Sequence, residues 1–227
     1  MKLILEPEHN SEIDALKTMY PTRAIWIKEK TVIGETSSTC FGFVVDGQTE
    51  IQTDNQQWNL KKGNYFAFHG TLGITPDDNS NIWIVERKGY RCMPLVGTIE
   101  ERGRLSYIDG CSDSVLVSMP RMGDPVLNHL HFPSGIYQTQ HTHPSIRMGI
   151  VIDGDGEAFQ EKSNYAKGWE KPLKKGCMFM LEEQELHSFK TLDSTMDIVA
   201  FHPDSDTGPT DENHSMINRT YIEHGKS

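Results

Sequence analysis

The stretch GIVIDGDGEAF, residues 149–159, decides the fold because it occurs twice. GFVVDGQTEI at 42–51 is its counterpart, and LKKGNYFAF (60–68) is matched in the same way by LKKGCMFML (173–181). The first pair is offset by 107 residues and the second by 113. Two matches in the same order at nearly one spacing mark a duplicated unit. The six-residue difference places a longer hairpin loop in the second copy, within QEKSNYAKGWEKP (160–172).

Each copy reads as short strands. The apolar runs CFGFVVDG (40–47) and MGIVIDGDG (148–156) end in Asp-Gly, which predicts a hairpin turn. AIWIKEK (24–30), NIWIVERKG (81–89), SVLVSMP (114–120), VLNHLHFPSG (126–135) and MDIVAFHP (196–203) add further β-rich runs. Helix is expected over HNSEIDALKTMY (9–20), with Asn10 or Ser11 as N-cap, and as a short turn over GTIEERGRL (97–105). The reading is all-β with minor helical content: two small β-barrels or jelly rolls in tandem. The division falls in the connector, giving units 1–97 and 98–227.

Bulk properties narrow the function. The 227 residues carry a net charge of −10 and no long basic run, which argues against nucleic acid or an anionic membrane as partner. The opening MKLILEPEHN lacks the apolar core of a signal peptide, and no stretch approaches a membrane span. Cys40, Cys92, Cys111 and Cys177 fit no zinc-ribbon spacing and read as reduced thiols of a cytoplasmic protein. The sequon at Asn218 then has no secretory context.

The chemistry lies in the histidines. His141 and His143 share one face of a strand, since side chains repeat with period two. His187 follows the second LKKG strand, and three converging imidazoles suit a divalent transition metal. Gly135, five residues, then His141-Thr-His143 resembles the first cupin motif. Gly176, five residues, Glu182-Glu-Gln184, two residues, then His187 resembles the spacing of the second. The chain looks like a bicupin over most of both halves. It departs where the second motif has Pro, Gly and Asn, replaced by Glu182, Gln184 and Thr191. It also departs where the first motif has a glutamate ligand, at Met148, with Arg147 before it on the opposite face of a regular strand.

The missing carboxylate resembles the three-histidine subset of cupins, which includes gentisate-type ring cleavers, diketone dioxygenases and thiol dioxygenases. The resemblance implies one divalent metal, foremost iron(II), with nickel, manganese, zinc and copper open. It implies an oxidoreductase of dioxygenase type acting on a small molecule, and a homodimer. The alternatives are a non-oxidative metal-dependent isomerase or lyase, and a small-molecule sensor that does no chemistry.

Beside the ligands, Arg147 could clamp a substrate carboxylate or form a salt bridge. Gln140, or Gln138, could touch substrate. His129 and His131 could line the cavity or face elsewhere. In the first copy the offsets map His141, His143 and His187 to Gly34, Thr36 and Ile74, so that unit is read as structural. The polar tail after residue 201 could be a lid, an arm or a surface segment.

Overall fold

The computed structural model describes residues 1–118, 120–163 and 167–205. These form antiparallel sheets, with one 3-10 turn at Ile108–Gly110. The tail after residue 205 lies outside the described residues.

One sheet of the first half runs in the order Leu95–Thr98, Asn64–His69, Ser38–Asp46, Asn81–Lys88, Thr22–Ile27, Glu12–Ala15. A second sheet of four strands lies on it, in the order Thr31–Ile33, Leu72–Pro76, Gln48–Gln52, Gln57–Lys61. The second half builds a nine-stranded sheet around the long strand Arg147–Gln160, and Lys2–Ile4 joins it by pairing with Met178–Leu181.

Side-chain parity explains the apolar runs. Cys40 and Val44 face the interior of the first half with Ile25, Ile51, Phe66 and Leu72. Phe41, Phe43 and Val45 face the other way. They pack with Trp26 and Trp83 against Met148, Ile150, Ile152 and Phe201 of the second half. The Phe41 and Phe201 rings meet at 4.9 Å. A sheet buried on both faces needs continuous apolar sequence rather than alternation. Each such side chain contributes about 1.5–3 kcal/mol on burial. Along Arg147–Gln160 the same division holds, with Val151 in the interior cluster of the second half beside Phe179, Ile198 and Ala200.

The repeat is reproduced in register. Gln48 pairs with Lys61, and Asp155 with Lys174, at the offsets of 107 and 113. The first hairpin ladder ends at the pair Gln52 and Gln57 and the second at Gln160 and Trp169, so the extra length sits where the sequence places it. In both copies a phenylalanine ring covers a glycine directly across the ladder, Phe66 on Gly42 and Phe179 on Gly149.

Three expectations need correction. The Asp-Gly pairs do not close hairpins. Ser38–Asp46 pairs with Asn64–His69 and Asn81–Lys88, whereas Gln48–Gln52 pairs in the other sheet. The pair is a corner where the chain changes sheet, and Gly47 and Gly154, at φ 73° and 70°, supply the left-handed bend. The N-terminal helix is instead the strand Glu12–Ala15, with Ile13 and Ala15 buried. Pairing to Thr22–Ile27 satisfies its backbone, and tertiary pairing overrides helix propensity. The connector holds Leu95–Thr98 and Leu105–Ser106 as strands, with no helix over 97–105. Among the described residues no helix is long and apolar enough to cross a membrane.

Candidate metal centre

His141, His143 and His187 come together. Their ligand atoms lie within 4.8 Å of one another, and the ring centroids are separated by 5.1, 4.5 and 5.1 Å. Backbone pairing fixes this. His141 N–H donates to His187 O at 2.9 Å, and His187 N–H donates to His141 O at 3.0 Å. His141 Nδ1 bonds the Thr139 carbonyl and His187 Nδ1 the Glu185 carbonyl, each at 2.8 Å. A carbonyl only accepts, so both Nδ1 atoms carry the proton and Nε2 keeps its lone pair for a metal. His187 Nε2 is buried with no hydrogen-bond partner. An orphaned lone pair facing two other imidazoles fits a divalent transition metal.

The electrostatics keep two of these rings, His143 and His187, neutral. Burial, then the charge of Arg147 and the neighbouring imidazoles, push His143 down to about 3. Burial holds His187 at about 4 against the help of the Glu185 carbonyl. Neutral imidazole is the ligating form. In metal-free protein the sign is unfavourable at low pH. Below about pH 6.5 the unfolded chain protonates these histidines while the folded chain does not, so stability falls as pH drops toward 4. Urea denaturation of chelator-treated protein should show this slope. His187→Gln should flatten it by up to about 1.4 kcal/mol per pH unit.

Arg147 lies on the same cavity wall, 3% exposed, donating through Nη1 to Ser145 O, Ser145 Oγ and Ile146 O. This corrects the expected phase. Met148 packs in the core between the two halves, and Arg147 faces the histidines. The turn through Pro144 and Ser145 sets the parity of the strand beginning at Arg147, so an arginine stands on the wall where a fourth ligand was sought.

Gln140 is placed elsewhere. Its Nε2 donates to Ser188 Oγ, and its Oε1 accepts from Glu161 N–H at 3.1 Å. The glutamine that lines the cavity is Gln138. His129 and His131 both bond Asp197 Oδ1 at 2.9 Å, on the face away from Leu130 and Phe132, which line the cavity. His202 was missed. It follows Ile198 and Ala200 on the interior face and lines the cavity, 6.3 Å from His143 between ring centroids. Burial and Arg147 hold its imidazole well below the ordinary range. Period-two parity along MDIVAFH could have found it.

The second-motif glycine position is Gln184, at φ 57°. The left-handed turn is kept without glycine, at a cost of about 1–2 kcal/mol. Gln184 N–H donates to His143 O at 2.9 Å, which ties the turn to the ligand strand.

In the first half, the ladder pair matching His141 and His187 is Ile33 and Leu72, because the offset is 108 at the first position and 115 at the second, not 107 and 113. Ile33 and Leu72, not Gly34 and Ile74, are the counterparts. Both are buried in the aliphatic interior. No imidazole stands at either position.

The two-sheet corners, the duplicated ladders and the histidines on the inner wall decide the architecture. The chain has the cupin fold. Solved structures with this fold align over most of its length. A cupin 2 conserved barrel domain protein from Leptotrichia buccalis shares 16% identity at TM-score 0.61, covering 88% of this chain and 95% of that one. Protein Ylba from E. coli shares 14% at TM-score 0.66, covering 90% and 92%. A salicylate 1,2-dioxygenase variant from Pseudoaminobacter salicylatoxidans, in complex with gentisate, shares 10% at TM-score 0.59, covering 85% and 74%. No protein-family model and no curated protein matches the sequence. The cupin interior here carries the three-histidine cluster in the second half.

Proposed function

We propose that this cupin is a metal-dependent enzyme of the non-haem iron(II) dioxygenase type acting on a small organic molecule. The observation that carries it is the ligand set: three imidazoles with no carboxylate among them, and an arginine on the same wall. His141, His143 and His187 would hold the metal, which when bound supplies open coordination positions for substrate and dioxygen. The protein's part is positioning. The carbonyls of Thr139 and Glu185 orient two rings, Arg147 adds positive charge for an anionic substrate, and Leu130, Phe132, Phe179 and Phe189 exclude water. Likeness to a salicylate dioxygenase supports the reading.

The test is metal analysis of protein purified without added metal, followed by oxygen uptake with iron(II) and a panel of catechols, hydroxybenzoates, diketones and thiols. Uptake that depends on iron and one panel member is expected. Bound metal with no uptake, but with metal-dependent isomerisation or decarboxylation of a panel acid, would move the reading to a lyase or isomerase.

A further inference from the structure

Three side-chain oxygens on the cavity wall have no hydrogen-bond donor: Asp113 Oδ1, Asn128 Oδ1 and Gln138 Oε1. The three-histidine cluster does not use them. Asn128 and Gln138 are 5% and 1% exposed. Asn128 is fixed in orientation because its Nδ2 donates to Asp113 Oδ2 at 2.7 Å, which leaves its carbonyl oxygen without a donor. Gln138 Nε2 points at Cys111 Sγ, 4.0 Å away.

The same cavity is electrically divided. Arg147 acts on His143, His187 and His202. Asp113 is a carboxylate on the same wall. Burial pushes its carboxyl up, opposed by Asn128, the Ser114 N–H and His129. One part of the wall thus offers positive charge beside the histidines, and another offers a carboxylate and amide oxygens with nothing to accept from.

We infer that the site takes a small zwitterion, with an anionic group toward the histidines and a protonated primary amine against Asp113 and Asn128. An ammonium brings three donors, no acceptor and a positive charge, which matches a wall of acceptors bearing a carboxylate. A hydroxyl brings one donor and two lone pairs, and lone pairs facing acceptor oxygens repel. The anionic end rests on the metal reading above; the amine end does not.

The experiment is calorimetric titration of the full chain, loaded with cobalt(II), using β-alanine, 4-aminobutyrate and 5-aminopentanoate. Propionate, butyrate, pentanoate and 4-hydroxybutyrate are the comparison. At the best chain length the amino compound should bind about tenfold tighter than its amine-free partners, a difference of ~1.4 kcal/mol. Asp113→Asn should remove that preference. Equal binding of amino, hydroxy and unsubstituted acids at every length would overturn the inference, as would an Asp113→Asn protein that keeps the preference. The wild-type comparison decides the matter even if the variant does not fold. The cobalt absorption spectrum reports the metal end separately. If cobalt does not bind, propylammonium against 1-propanol on metal-free protein still reads the amine preference, so the two proposals fail independently.

Discussion

His187→Ala protein should retain its fold and lose its metal, from roughly one ion per chain to almost none. The backbone bridge between His141 and His187 does not involve the imidazole, so the strand pairing survives. The lost ring borders an existing cavity, which limits the packing penalty. What disappears is a buried donor whose Nε2 has no other partner. Changes to groups that merely orient metal ligands cost on the order of 10–100-fold in affinity, so loss of a ligand should cost more. Wild-type protein with metal at a hundred times its dissociation constant should gain about 2.7 kcal/mol, or roughly 5–10 °C in Tm. The variant should gain nothing. Elemental analysis and thermal scans with and without cobalt(II) check this. Gln140→Ala is the control, expected to keep full metal content because Gln140 binds Ser188 and Glu161 instead. Full metal occupancy in His187→Ala would sink the site.

The second large effect is expected at Gly149. A Cβ there would lie 2.3 Å from Phe179 Cζ and under 3 Å from two more ring atoms. Phe179 is 2% exposed and packed on Phe189 at 5.9 Å, so the ring has little room to yield. Gly149→Ala should cost about 1–3 kcal/mol through overpacking, lowering Tm by roughly 2–12 °C. Phe179 also lines the cavity, so the cobalt spectrum should shift as well. Gly42→Ala, whose Cβ would lie 2.1 Å from Phe66 Cζ, should destabilise comparably and leave the spectrum unchanged. Matching spectra in both variants would show that Phe179 does not shape the metal's surroundings.

Much of this was legible in the sequence because duplication exposes its own constraints. The repeated GxVxDG and LKKG segments placed the paired strands and the extra hairpin length, and the HxH spacing placed two imidazoles on one face. What was hidden depends on phase and on distance along the chain. Whether Arg147 or Met148 turns inward is settled by the turn at Pro144–Ser145, which no periodicity records. The counterparts of His141 and His187 slid to Ile33 and Leu72 because the offset changes on either side of the matching segments. Glu12–Ala15 resembled a helix start until its partner strand Thr22–Ile27 was known. Asp113, Asn128 and His202 come from separate strands and share no motif, so three-dimensional adjacency alone joins them.

The apolar seam between the two halves has a consequence for how the chain can be divided. Met148, Ile150 and Ile152 alternate with Arg147, Gly149 and Val151 along a single strand, so the back of the histidine wall is the seam itself. Cutting away the first half would leave Phe201 and its neighbours bare to water and invite aggregation. A duplicated unit without the histidines still has a part to play: it is the shield over the back of its twin's ligand-bearing sheet.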